Sequence, residues 1–230
     1  RAFLPGVVGV EVRPGEPGLA PRPMERLHPD GIFEATFPER AAPFRYRLAV
    51  TEAPGRVREI DDPYRFPSTL SDFDRLLLGE GTHYRAYEKL GAHETVLDDV
   101  AGVVFAVWAP NARRVSVVGD FYAWDGRRHP MRRHPGAGIW ELFVPGLGAG
   151  ARYKFEIVGR DGTLLALKAD PFAFGFDVEE PRTASVVTTL DGHSWHDGGW
   201  LGDRARRNAL DAPIAVYEVH LGSWRRVPEE

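Results

Sequence analysis

One loop gathers the residues best suited to hold a ligand: Gly119-Asp120-Phe121-Tyr122-Ala123-Trp124-Asp125-Gly126. Aromatic rings at the rim of a β fold can stack on the apolar C–H faces of a sugar, while nearby polar groups bind its hydroxyls. Tryptophan supplies a large flat face and one N–H. The competing reading makes Phe121 and Trp124 caps on a core. Alternation favours the core for Phe121, and the adjacent Asp125-Gly126 turn favours exposure for Trp124. Lys154 lies between Tyr153 and Phe155 in a strand-like run, so its side chain must point away from theirs. A solvated face is the usual fate of such a lysine. Its interest depends on whether it comes near Trp124.

Other clusters carry less. Arg127-Arg128-His129 and Arg132-Arg133-His134 suggest phosphate binding, but a solvated hairpin is the preferred reading. His193-x-x-His196 with Asp191 and Asp197 closes no ligand set, so no metal is expected. There is no nucleophile elbow, phosphate loop or paired-carboxylate motif, and Gly79-Glu80-Gly81 lacks the rest of a dinucleotide fingerprint. No catalytic residue and no cofactor are expected. A net charge of −4 argues against nucleic-acid and membrane-surface partners. No apolar run approaches the roughly 18 residues of a membrane span. The absence of cysteine excludes disulfides and sulfur-ligated zinc, and suits a reducing cytoplasm. No secretory pattern opens the chain, and its start at Arg1 suits a processed or cut boundary.

The elements that must position these residues occur twice. Gly6 to Val12 reads like Gly102 to Trp108, and Pro23-Met24 like Pro130-Met131. Gly31-Ile32-Phe33-Glu34 reads like Gly138-Ile139-Trp140-Glu141, and Asp62-Pro63-Tyr64-Arg65-Phe66 like Asp170-Pro171-Phe172-Ala173-Phe174. A period of about 107 residues fits two copies of one domain rather than a solenoid. By this matching the second copy has about eleven extra residues, including the Trp124 loop. Short alternating runs between Gly, Pro, Asn and Asp turns predict antiparallel β-sandwiches. Trp108 and Trp140 are assigned to the core. Ser71-Asp72-Phe73-Asp74 forms a capping box, and Tyr84, Tyr87 and Leu90 predict a second helix ending near Gly91. Residues 213–224, Pro213 to Trp224, have the hydrophobicity of a buried strand with no sheet to join. The expected fold is all-β: two tandem immunoglobulin-like sandwiches, a helical connector at 71–91, and a C-terminal orphan strand.

Several blocks carry a family resemblance. Ala106 to Ala112, Val115 to Trp124 and Gly138 to Leu147 resemble the carbohydrate-binding module preceding the catalytic barrel of α-glucan-active enzymes. Asp62 to Phe66, Leu78 to Tyr84, Lys168 to Phe172 and Val216 to Arg226 narrow the resemblance to the N-terminal part of bacterial glycogen branching enzymes. Their longer form has two such modules in tandem. The resemblance implies an N-terminal module over 1–92, a family-48-type carbohydrate-binding module over 93–205, and the start of a truncated (β/α)8 barrel over 206–230. It implies α-glucan partners (glycogen, amylose, maltooligosaccharides), the barrel itself as a partner, and a cytoplasmic setting. The implied sugar site is Trp124 stacking on glucose and Lys154 bonding its hydroxyls, with Tyr122 and Asp125 beside them. The family usually has Asn where Tyr122 stands. Branching moves an α-1,4 segment to a 6-hydroxyl, and such retaining chemistry needs two closely spaced carboxyls. The resemblance places these on later barrel strands, outside this sequence. The alternatives are a related debranching or trehalose-forming enzyme, against which the tandem first module counts, and a free immunoglobulin-like interaction protein.

Overall fold

The computed structural model describes residues 1–53, 55–177, 183–190 and 192–224. Asp191, Arg225 and Arg226 lie outside them. The chain separates into two units, 1–190 and 191–230. Strands dominate the first unit, and helices are few.

The first half of that unit contains β1 (Ala2–Phe3), β2 (Gly9–Pro14), β3 (Arg22–Pro23), β4 (Glu25–His28), β5 (Ile32–Glu34), β6 (Tyr46–Ala53) and β7 (Arg56–Asp61). They form two antiparallel sheets, β1-β5-β4 and β3-β2-β6-β7. Val10 and Val12 of β2, Leu48 and Val50 of β6, and Phe33 of β5 share one buried cluster between them. In β2 the buried Val10 and Val12 flank the half-buried Glu11, which makes that strand two-faced.

Helix α1 (Asp72–Glu80) follows. Both halves of the expected capping box form: the Ser71 hydroxyl accepts from the Asp74 N–H at 3.0 Å, and the Asp74 carboxylate accepts from the Ser71 N–H at 3.0 Å. Gly81 ends the helix at a φ of 72°. The predicted second helix is a single 3-10 turn at Ala86–Glu88. Tyr84 is 98% exposed and Tyr87 faces solvent, so only Leu90 of the proposed apolar stripe is buried. A helix this short needs such a buried face to persist.

The second half contains β8 (Gly91–Leu97), β9 (Val100–Trp108), β10 (Ala112–Gly119), β11 (Arg132–His134), β12 (Ile139–Pro145), β13 (Arg152–Gly159), β14 (Gly175–Phe176) and β15 (Ser185–Val186). The sheets are β11-β12-β9-β8 and β10-β13-β15-β14. Val103, Phe105 and Val107 of β9 pack with Val115, Val117, Tyr153 and Phe155 of the other sheet. The outer face of β9 and β12 is buried too. Ala106 and Ile139 pack with Leu70, Leu78 and Leu90 of the connector, and Val104 and Phe143 pack with Phe66. Trp140 is core as expected, but Trp108 is 59% exposed. It sits on the connector-facing side at the end of β9, beyond the connector's cover.

The two halves repeat the same pairings. Met24 N–H donates to Val10 O and Met131 N–H to Val115 O, each at 2.8 Å. Pro14 lies opposite Tyr46, and Gly119 lies opposite Tyr153. Strand β2 therefore corresponds to β10, which corrects the sequence match of Gly6–Val12 to the β9 residues. Alternating valines made both matches plausible, and only the pairing partner distinguishes them. The connecting segments are 15–23 in the first half and 120–130 in the second. Only the second contains aromatic residues.

The second unit contains α2 (Gly198–Arg207) and α3 (Leu221–Trp224). The expected strand at 213–224 does not form. Residues 213–220 have no ladder partner, and Ile214, Val216 and Tyr217 are exposed. Apolar β-forming residues do not define a strand without a neighbouring edge. No helix among the described residues is long and apolar enough to cross a membrane.

Candidate functional site

The Trp124 loop leaves β10 at Gly119, where an added Cβ would collide with the Phe121 ring and the Arg152 carbonyl. A 3-10 turn at Asp120–Tyr122 follows. Ala123 and Trp124 then adopt left-handed conformations, with φ of 52° and 60°. Such backbone costs a non-glycine residue roughly 1–2 kcal/mol. The surroundings hold it: the Trp124 N–H donates to Gly119 O at 3.0 Å, and the Asp125 N–H donates to Tyr122 O at 3.1 Å. The indole is also tied down, because its Nε1–H donates to Asp120 Oδ1 at 2.9 Å. The other Asp120 oxygen accepts from Arg152 Nε at 2.6 Å, and Arg152 reaches Asp177 at 3.1 Å.

Strand β13 supplies the opposite wall. Tyr153 and Phe155 point into the core, so Arg152 and Lys154 share the outward face. Lys154 Nζ lies 3.4 Å from Thr183 Oγ1. Trp124 and Lys154 line one cavity of about 360 Å³, together with Asp120, Arg152, Leu167 and Asp177. The cavity combines a half-buried indole, two cations and two carboxylates. With its N–H engaged by Asp120, the indole has its ring faces left for a ligand. Lysine and arginine donate, and carboxylates accept. A ligand dense in hydroxyls, each both donor and acceptor, suits this set.

Tyr122 and Asp125 do not join it. The turn and the two left-handed residues send Tyr122 to another surface, where its ring lies 4.4 Å from that of His129. Asp125 accepts from the Arg127 N–H at 3.0 Å and from its guanidinium at 2.9 and 2.8 Å. Those bonds hold its carboxyl down to about 2. It is committed to shaping the turn.

The basic run is neither a phosphate cluster nor a uniformly solvated hairpin. Arg132 donates to Phe66 O at 3.0 Å, and Arg133 lies 5.8 Å from the Trp140 ring centroid. His134 meets Glu141 at 2.9 Å. His129 is 4% exposed. Burial, helped by Arg128, pushes its pKa down to about 4. Among the described residues no group of three metal-ligating side chains exists, His193 and His196 included.

Asp120 lies in the loop that the sequence singled out, but without an assigned role; Arg152, Leu167 and Asp177 were missed in the sequence. Arg152 had a readable signal, since it precedes Lys154 by two positions and alternation puts both on one face. Asp177 had none. In the first half Arg47 stands at the Lys154 position, paired with Glu59 at 3.0 Å and Asp61 at 3.5 Å.

Two family models match. Residues 1–64 match the N-terminal domain of alpha-1,4-glucan branching enzyme GlgB, and residues 89–173 match carbohydrate-binding module 48, the isoamylase N-terminal domain. The chain is 54% identical over 232 residues to a 1,4-alpha-glucan branching enzyme GlgB of Rubrobacter xylanophilus, covering 100% of this chain and 31% of the relative. It is 57% identical over 207 residues to the GlgB of Paramagnetospirillum magneticum, covering 90% of this chain and 27% of the relative. The GlgB of Rhodospirillum rubrum is 51% identical over 225 residues, with 98% and 30% covered. The chain thus spans about a third of the length of the curated relatives it matches. With a GlgB N-terminal domain followed by a family-48 carbohydrate-binding module, the chain belongs to the bacterial 1,4-alpha-glucan branching enzyme family, as its N-terminal region.

Proposed function

We propose that this chain binds and positions α-glucan without catalysing its rearrangement, in the cytoplasm, on behalf of a branching enzyme that forms α-1,6 links. Residues 1–92 and 93–205 act as tandem immunoglobulin-like sandwiches, the shared pairing of β2–β6 and β10–β13 supporting the duplication. Residues 206–230 begin the catalytic barrel. The apolar segment 213–220 is exposed because its sheet neighbours belong to that barrel.

One observation carries the reading. A loop and a strand distant in sequence bring Trp124 and Lys154 to the same cavity. The first half places an ion-paired arginine at the Lys154 position and has no aromatic residue in the segment, 15–23, that corresponds to the Trp124 loop. Glucose would stack on the fixed indole while Lys154 and Arg152 donate to its hydroxyls. Stacking of roughly 0.5–1.5 kcal/mol per ring gives weak binding, of about millimolar Kd. Many weak contacts on one branched polymer still retain the protein near its substrate.

Affinity electrophoresis in glycogen gels tests this. Trp124→Ala should abolish most retardation, Lys154→Ala should reduce it, and Arg47→Ala should leave it unchanged. Full retardation of a folded Trp124→Ala protein would reject the site.

A further inference from the structure

A second cavity, of about 300 Å³, lies within the first unit between its two halves. Its floor is apolar, with Leu48 and Val50 from one half and Val144 from the other. Its polar walls come from Arg58, Glu59 and Asp61 on one side and Tyr122, Arg128 and His129 on the other. The volume is at the small end of the range of ligand pockets, roughly 300–1,000 Å³.

Three features point to its ligand. The His129 Nδ1 atom is buried and has no hydrogen-bond partner among the described groups. Such an atom needs a partner, because a buried polar group left unpaired bears its full desolvation cost. Arg128 is weakly engaged, with contacts of 3.5 Å to Pro5 O and 4.0 Å to Asp125, and its guanidinium lies 5.9 Å from the Tyr122 ring centroid. The walls, finally, are mixed in charge. Arg58 is paired with Glu52 at 2.6 Å, while Glu59 and Asp61 add carboxylates to the lining. Arg47, also in the lining, already pairs with both acids, so the wall is charge-balanced and suits a neutral polar ligand better than an anion. The several hydroxyls of a polyol, each one donor and two acceptors, can between them satisfy His129 in either tautomer, accept from Arg128 and donate to Glu59 or Asp61.

We propose that this cleft is a second saccharide site, taking a neutral mono- or disaccharide between the two halves, with Arg128, His129 and Tyr122 as its polar contacts. The choice of an α-glucose unit rests on the glucan reading above; the polyol chemistry does not. Tyr122, excluded from the Trp124 cavity, finds its role here. Because both halves supply walls, ligand binding couples them.

Maltose titrations of the full chain, read by NMR at the His129 imidazole and the Trp124 indole, test this directly. Wild type should show both signals moving, with separable affinities. Trp124→Ala should keep the His129 response. Arg128→Ala should keep the indole response and weaken the His129 response about tenfold, or 1.4 kcal/mol. Arg128→Lys keeps the charge and controls for packing, and should weaken the response less. An unmoved His129 beside a responding indole overturns this second site and leaves the Trp124 site standing. A responding His129 beside an unmoved indole does the reverse. A His129 response to inorganic phosphate but not to maltose overturns the neutral-saccharide assignment.

Discussion

The Tyr153 hydroxyl donates to Asp170 Oδ2 at 2.7 Å, and both side chains are buried. Asp170 Oδ1 accepts from the Phe172 N–H at 2.8 Å, and the Asp170 N–H donates to Ser185 Oγ at 2.8 Å. The first half repeats the arrangement. Tyr46 donates to Asp62 Oδ2 at 2.7 Å, and Asp62 Oδ1 accepts from the Tyr64 N–H at 2.9 Å. The Asp-Pro-aromatic motif seen twice in the sequence is thus one device: a carboxylate that fastens the departing chain to a strand tyrosine. Burial pushes Asp170 upward, and the Tyr153 hydrogen bond works against that shift.

Removing that donor leaves a buried carboxylate short of a partner. Tyr153→Phe should destabilise the protein by about 1–3 kcal/mol. Tyr46 is only half-buried, so Tyr46→Phe should cost less. Urea midpoints followed by tryptophan fluorescence check the order, and equal midpoints for Tyr153→Phe and wild type would refute it.

Glu141 fastens the connector to the second half. It is buried on β12 and accepts from Ser68 Oγ at 2.5 Å, Thr69 N–H at 2.7 Å and Thr69 Oγ1 at 2.7 Å, with His134 at 2.9 Å. Burial raises its pKa, but these bonds outweigh it and hold the carboxyl below its usual value. Glu141→Gln should cost about 1–3 kcal/mol, and Glu141→Ala more. Hydrogen exchange should speed up at Thr69 and in α1 before it does in β13. Uniform acceleration across the second half would instead assign Glu141 to the core.

Part of this architecture is legible in the order of residues alone. The Ser71/Asp74 capping box needs only local bonds, and it forms as expected. The fate of Trp108 depends on how far the connector reaches along β9, a non-local fact. So does the matching of β2 to β10. Segment 213–220 carries strand chemistry but no edge to pair with, and strand formation is decided by the partner. At the candidate site, residue types singled out Trp124 and Lys154, but the left-handed backbone at Ala123 and Trp124 has no sequence signal. That backbone separates Trp124 from Tyr122.

His129 should make stability pH-dependent in a defined window. Its folded pKa is about 4 against an ordinary 6.5, so the unfolded chain binds its proton more tightly. Its contribution is therefore complete above pH 6.5 and is lost as pH falls towards 4, to a limit of roughly 3 kcal/mol. Glu141 acts in the same direction but only below its usual 4.5, largely outside the window. Urea midpoints should fall between pH 7 and pH 5. His129→Gln, which cannot titrate, should flatten most of that slope. An unchanged slope would place the titration elsewhere.

Asp120 positions Trp124 without needing to stack on a sugar itself. It bridges the indole Nε1–H and Arg152 Nε, so it fixes the ring and orients the cation beside it. Asp120→Asn keeps the size and one acceptor but loses the charge that holds Arg152. Maltooligosaccharide binding should weaken about three- to tenfold, or up to 1.4 kcal/mol, while stability changes little because the ion pair is partly exposed. Ala123→Gly acts on the same loop through the backbone. Glycine tolerates a φ of 52°, so relief of strain should stabilise the protein by up to about 1 kcal/mol, offset by the larger entropy of the unfolded glycine. Calorimetric titration and thermal unfolding of both variants separate the two contributions. Weakened binding in Asp120→Asn with an unchanged melting temperature supports a preorganised indole. Wild-type affinity in Asp120→Asn would show that the left-handed turn alone sets the ring, and Ala123→Gly would then be the variant that loses sugar.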